Sequence, residues 1–169
     1  MNVQVLMLQQ DDPKKCTAAK LVKFGLAKNI SRTRGNTIVL DPFAKKFLLR
    51  SDSSLANSLT AIDCSWNFAQ KTFSKHFAGI SRKLPPLLAG NPVNYSKLGK
   101  LTTVEAISGA LFILDQGGFA MDLLGKFSWG HTFYDLNRYL IDDYLQIKSE
   151  DEIDPLLQEY GLVNSFDYR

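Results

Sequence analysis

Leu59-Thr60-Ala61-Ile62-Asp63-Cys64-Ser65-Trp66 passes from a short β-rich apolar run into small polar residues and then a tryptophan. An apolar run bounded by turn formers reads as a buried strand, here ending at Asp63. A helix is expected next, from about Asn67 to Phe77. The same change of texture occurs upstream. Val3–Leu8 predicts a first strand and Asp11-Asp12-Pro13 a turn. Thr17–Phe24 predicts a short helix, with Ala18, Leu21 and Val22 apolar and Gly25 ending it. Thr37-Ile38-Val39-Leu40 is another strand, stopped by Asp41-Pro42, and a helical stretch is expected around Ala44–Leu49. Strands and helices alternating in this way predict an α/β fold with a parallel sheet.

Arg82 to Lys100 breaks the alternation. Leu84-Pro85-Pro86-Leu87-Leu88-Ala89-Gly90-Asn91-Pro92-Val93-Asn94-Tyr95 holds three prolines, a glycine and two asparagines, a composition that opposes helix. Its leucines and tyrosine are too apolar for a flexible linker, so the loop must be packed, and packed irregular backbone is usually functional. Beyond it the chain turns helical. Thr102-Thr103-Val104-Glu105 has capping-box spacing and opens a helix to about Leu114. Gly117-Gly118 breaks that helix, and Phe119–Phe127 and about Thr132–Leu145 predict two more, separated by Trp129-Gly130. A last helix starts either from Ser149 with Glu152 or from Asp154-Pro155. The expected division is an α/β part over residues 1–83, and the packed loop with an all-helical region over residues 84–169.

Charge is distributed unevenly. Residues 1–100 carry 16 Lys and Arg against 5 Asp and no Glu, whereas residues 101–169 carry 4 Lys and Arg against 12 acids. A basic first half is the electrostatic footprint of a polyanion partner. Its basic residues interleave with aromatics and turn formers, as in Ser31-Arg32-Thr33-Arg34-Gly35-Asn36 and Lys71-Thr72-Phe73-Ser74-Lys75-His76-Phe77. Lysine and arginine suit phosphates, and aromatic planes suit unstacked bases. Arg32, Arg34, Lys71, Lys75 and Arg82 are therefore the RNA-binding candidates. No apolar run approaches the ~18 residues a membrane span needs. Met1–Leu8 lacks the basic opening of a signal peptide, and Cys16 and Cys64 lie in no metal-ligand spacing, so a reduced, cytoplasmic protein without a metal is expected.

Familiar catalytic motifs are absent: the sequence has no GxGxxG, P-loop or GxSxG, and its two histidines, His76 and His131, lie in different segments. Ligands in parallel α/β sheets bind outside the carboxyl ends of the strands, which directs attention to Leu40-Asp41-Pro42 and Asp63-Cys64-Ser65-Trp66. A tryptophan just past a strand offers a flat face to a base or a cation, and serves equally as a core aromatic.

These runs carry a resemblance. Asp12-Pro13-Lys14-Lys15-Cys16-Thr17, Leu40-Asp41-Pro42, Asp63-Cys64-Ser65-Trp66, Arg82–Tyr95, Leu101-Thr102-Thr103-Val104-Glu105-Ala106 and Phe127-Ser128-Trp129-Gly130 together closely resemble the small-subunit ribosomal RNA aminocarboxypropyltransferases, also described as ribosome biogenesis proteins. The similarity runs from the first strand to about Tyr144. It implies a SPOUT-like parallel sheet with a deep trefoil knot, followed by an all-helical C-terminal region. It implies transfer of the 3-amino-3-carboxypropyl group of S-adenosylmethionine to a pseudouridine, usually already methylated, in small-subunit rRNA or a pre-ribosomal small subunit. Carried onto this sequence, Thr17, Ile62, Leu84, Gly99 and Thr103 contact the cofactor, Leu40, Pro42, Leu101 and Ala106 wall the adenine, and Trp66 with Ala69 covers the methyl. Gly99 stands where the family has an aromatic, leaving only a backbone contact there. Asp63 is the catalytic candidate, since a carboxylate can accept the proton of a ring N–H, and it is also placed to cap the helix beginning near Ser65. Two other readings remain: a SPOUT-like RNA methyltransferase, and a non-catalytic rRNA-binding assembly factor.

Overall fold

In the computed structural model, which describes residues 1–162, the strand around Leu59 runs from Ser58 to Asp63 and occupies the middle of a five-stranded sheet. With this strand as β4, the others are β1 (Asn2–Met7), β2 (Lys28–Asn29), β3 (Thr37–Leu40) and β5 (Ile80–Arg82). Their order is β2-β1-β4-β3-β5, and every neighbouring pair is parallel. A parallel sheet is covered on both faces, which is why β3 is buried along its whole length and β4 over all but Asp63.

The two faces are built differently. Val3, Val5, Ile38, Leu40, Leu59 and Ala61 point to one face and join a single apolar core with the helices. Leu6, Val39 and Ile62 point to the other, where Ile30, Phe73 and Phe77 cover them more thinly. The second face also carries a buried polar ladder, in which the Thr60 hydroxyl donates to Gln4 Oε1 at 3.1 Å and lies 2.7 Å from the Thr37 hydroxyl.

The helices are α1 (Thr17–Lys23), α2 (Ala69–Phe73), α3 (Thr103–Ile113), α4 (Gly117–Leu124), α5 (Gly130–Gln146) and α6 (Ile153–Glu159). α3 is apolar nearly all round and lies at the centre, against β4 and α1 on one side and α4 and α5 on the other. The predicted capping box is present: Thr102 Oγ1 accepts from Glu105 N while Glu105 accepts from Thr102 N. The core that includes Val3 also includes Phe133 and Leu157, so the parts before and after residue 84 share one interior.

Three expectations need correction. Ala44–Leu49 is not helical, because the chain there pairs with the segment after β5: Lys83 N donates to Lys46 O and Leu48 N to Lys83 O, both at 2.8 Å. A six-residue helix has too little cooperativity to compete with such pairing. The helix expected from Asn67 to Phe77 is a 3-10 turn, Trp66–Phe68, followed by one short α segment. Gly117-Gly118 opens α4, and the break comes earlier, at Asp115 with φ of 62°. Of the rival starts for the last helix, Ser149 with Glu152 is the one used: they cap a 3-10 turn that runs directly into α6, and Asp154 and Pro155 lie within its first turn. Residues 163–169, the end of the second predicted part, lie outside the described residues.

Candidate active site

The carboxyl ends of β3 and β4 open into a cavity of about 690 Å³, within the usual size range of small-molecule sites. Leu40, Pro42, Leu84, Leu101 and Ala106 supply apolar wall, and Ile62, Trp66, Ala69, Gly99 and Thr103 complete the predicted residues that line it. Trp66 is 49 % exposed, which makes it a residue of the cavity rim and not of the core. The Lys100 ammonium lies 5.2 Å from its ring centroid, so this ring face already attracts a cation. Gly99 adopts a φ of 72°, with open space where a side chain would project; its backbone faces the cavity.

Two predicted residues sit elsewhere. Thr17 is buried behind the cavity, its hydroxyl accepting from Val104 N at 3.2 Å, and so ties the start of α1 to the start of α3. Asp63 is not among the lining residues, and it caps no helix at Ser65. Its carboxylate accepts the Cys16 thiol on Oδ2 at 3.1 Å and the Thr103 hydroxyl on Oδ1 at 2.6 Å. Asp63 thus joins β4, α1 and α3 and holds Thr103 in place, with both carboxylate oxygens engaged. Burial, with the Asp63 carboxylate adding to it, pushes the Cys16 thiol up to about 11.

The loop from Leu84 to Leu101 closes the cavity and is fixed by three side chains that the sequence reading did not assign to the site. Glu105 is fully buried, and its carboxylate accepts from Gly90 N (2.7 Å), Asn91 N (2.9 Å), Asn91 Nδ2 (2.8 Å), Thr102 N (2.7 Å) and Thr102 Oγ1 (2.8 Å). Asn137 on α5 imitates a neighbouring strand, accepting from Leu88 N and donating to Leu88 O, each at 2.8 Å. Tyr144 donates to Pro86 O at 2.7 Å. Close packing completes the fit: a Cβ on Gly90 would approach Phe133 N to 2.5 Å. The capping-box spacing signalled Glu105 as a helix cap only. An asparagine inside the amphipathic stripe of α5 was the one available sign of Asn137, since asparagine favours neither a helix interior nor burial.

Asp41 also lines the cavity. Burial raises its carboxyl above the ordinary aspartate value, although Phe43 N donates to it at 2.9 Å and works the other way. Of the RNA candidates, Lys71 and Lys75 are exposed on and just beyond α2, whose Ala69, Gln70 and Phe73 line the cavity. Arg32 and Arg34 are exposed in the connection between β2 and β3, Arg34 three residues before Thr37 at the amino end of β3, and neither lines the cavity. Arg82 departs from expectation: its guanidinium holds Asp52 in a largely buried two-point ion pair at 3.0 and 3.1 Å, leaving it poorly placed for a phosphate. Among the described residues no group of His, Cys, Asp or Glu is arranged to hold a metal ion. No helix of the described residues is long and apolar enough to cross a membrane.

Comparison with known proteins places this site in a family. A family described as "Ribosome biogenesis protein, C-terminal" matches residues 38–161. The 16S rRNA aminocarboxypropyltransferase of Sulfurisphaera tokodaii is 40% identical over 155 residues, 90% of this chain and 91% of that protein. The Thermoplasma volcanium protein of the same name is 46% identical over 145 residues, 84% of this chain and 88% of its own. The chain thus belongs to the ribosome biogenesis protein family whose relatives bear the name 16S rRNA aminocarboxypropyltransferase. A solved structure, the SAM-dependent rRNA:acp-transferase Tsr3 from Vulcanisaeta distributa, superposes with a TM-score of 0.86 at 35% identity, covering 95% of this chain and 89% of that one. A further family, described as a possible Fer4-like domain in RNase L inhibitor, matches residues 1–35. That stretch contains one cysteine, Cys16, and an iron–sulfur cluster of the ferredoxin type needs four thiolates, so the donor set does not fit such a cluster.

Proposed function

We propose that this protein is an S-adenosylmethionine-dependent enzyme that transfers the 3-amino-3-carboxypropyl group to a pseudouridine ring nitrogen in small-subunit rRNA. The observation that carries the reading is the cavity beyond β3 and β4, with an apolar wall suited to adenine and Trp66 at its rim. The relatives' names and the superposed transferase support the same activity. When bound, S-adenosylmethionine supplies a sulfonium with three activated carbons. The protein's task is to choose among them. Trp66 and Ala69 cover the methyl, so that the longer arm alone faces the RNA. Leu40, Pro42, Leu101 and Ala106 hold the adenine, and Leu84, its peptide directed by two following prolines, offers backbone groups. Asp63 acts through Thr103 as a positioning residue.

The proposal extends to the chain path, a SPOUT-like sheet with a deep knot around the cofactor, supported by the all-parallel strand order and the packed loop at the strands' carboxyl ends. It also includes the division at residue 84, a cytoplasmic setting, and the pre-ribosomal small subunit as partner through Arg32, Arg34, Lys71 and Lys75.

Isotope labelling tests the reaction. A cofactor labelled only in its aminocarboxypropyl arm should label rRNA, one labelled only in its methyl should not, and the by-product should be methylthioadenosine. S-adenosylhomocysteine as the sole by-product would replace this reading with an RNA methyltransferase.

A further inference from the structure

Leu88 to Leu98 forms a small hairpin. The two leucines make an antiparallel bridge, Ala89 N donates to Lys97 O at 2.9 Å, and Ser96 N donates to Ala89 O at 2.7 Å. Ser96 is held at a φ of 61°, a backbone geometry that persists in a non-glycine residue only where the surroundings over-determine it. The base of the hairpin is anchored by the buried Glu105 through Gly90 and Asn91. Yet this fixed element turns apolar surface outward: Val93 is 84 % exposed and Tyr95 is 57 % exposed. Lys97 and Lys100 on its returning side are exposed as well.

The hairpin also rises from the cavity rim. Leu98, Gly99, Lys100 and Leu101 all line the cavity, and Tyr95 lies three positions before Leu98, at most ~11 Å along the chain. Lys100 over the Trp66 ring links this side of the rim to the opposite one. A rigid aromatic tip beside lysines matches single-stranded nucleic acid, where stacking is sequence-tolerant and cations track the phosphates. A base that must enter the cavity has to leave its stack, and its neighbours then need a new surface to stack on.

We infer that the hairpin is a second RNA contact, in which Tyr95 stacks on an unpaired base next to the target nucleotide while Lys97 and Lys100 take the flanking phosphates. This rests on the proposed action on rRNA and adds a surface to it. Lys71 and Lys75 lie on and just beyond α2, another element of the cavity wall, and the hairpin adds a second surface at the rim.

The test is binding of the full-length protein, saturated with S-adenosylmethionine, to a small-subunit rRNA stem-loop with its loop unpaired, and to a fully paired duplex of similar length. Tyr95→Ala should weaken stem-loop binding by about five- to a hundredfold, the range for a lost base–aromatic stack. Tyr95→Phe should restore it, and neither change should alter duplex binding or cofactor affinity. Equal stem-loop binding by wild type and Tyr95→Ala would overturn the inference while leaving the proposed function intact, provided the wild type still labels rRNA from the aminocarboxypropyl arm. Loss of binding only to assembled pre-ribosomal particles, and not to naked RNA, would assign the tip to a protein partner and overturn it equally.

Discussion

Thr103 Oγ1 donates to Asp63 Oδ1 at 2.6 Å, joining the first residue of α3 to the last residue of β4 across 40 positions of sequence. The other carboxylate oxygen holds the Cys16 thiol at the start of α1, so one side chain fixes the relative placement of three segments at the edge of the cavity. Asp63→Ala leaves both donors without an acceptor and should lower stability by about 1–3 kcal/mol in chemical denaturation. Asp63→Asn, which keeps one acceptor, should lose less and retain turnover within about tenfold. A fall of more than about hundredfold in Asp63→Asn, with cofactor affinity intact, is the scale of a lost general base and would return this residue to the chemistry.

Glu105 satisfies five donors from the loop and from the start of its own helix. Removing the carboxylate strands several buried N–H groups at once. Glu105→Ala should therefore cost at least about 3 kcal/mol, lowering Tm by roughly 6–12 °C, and should weaken the cofactor site with it. Thermal melts with and without S-adenosylmethionine check both parts; an unchanged melting curve would mean that other contacts suffice to hold the loop.

Trp66 is half-exposed, so its removal should leave the fold nearly as stable as before. Trp66→Ala should weaken S-adenosylmethionine binding by roughly 1–3 kcal/mol, the scale of a lost aromatic contact to a desolvated cation, and Trp66→Phe by much less. Calorimetric affinity equal to wild type in Trp66→Ala would remove the residue from the site.

Asp41 faces the cavity with its carboxyl raised by burial, so it takes up a proton at a higher pH than an ordinary aspartate. The sign follows: above its raised pKa the anion attracts a sulfonium, and as pH falls through that value the attraction is lost. Affinity for S-adenosylmethionine should fall on acidification, while affinity for neutral methylthioadenosine should not. Asp41→Asn should flatten the difference in a pH series of titrations.

Arg32 and Arg34 are exposed. Reversing both to Glu should weaken rRNA binding and reduce its salt slope by about two, one for each lost phosphate contact, with cofactor affinity unchanged. An unaltered slope would place the RNA away from the connection between β2 and β3.

The strands with β-branched or leucine-rich runs, β1, β3 and β4, were readable because burial on both faces demands such runs. Lys28-Asn29 and Ile80-Ser81-Arg82 were not, since two or three residues carry no period and their pairing is decided by neighbours distant in sequence. Ala44–Leu49 misled for the same reason: its helical composition lost to hydrogen bonds with Lys83. Most of the cavity lining could be carried over from motifs. The supports could not, because a sequence does not announce that Asn137 faces Leu88 or that Asp63 turns toward Cys16.

The shape of the Leu84–Leu101 loop depends on Asn137 and Tyr144, residues made well after the loop itself. During synthesis, a chain that has emerged only as far as α4 carries all the strands and all the predicted cofactor contacts, yet lacks two of the three groups that give the loop its form. Ligand binding thus becomes a property acquired only when α5 docks, and a nascent or prematurely terminated chain that lacks α5 would not sequester S-adenosylmethionine in the cell.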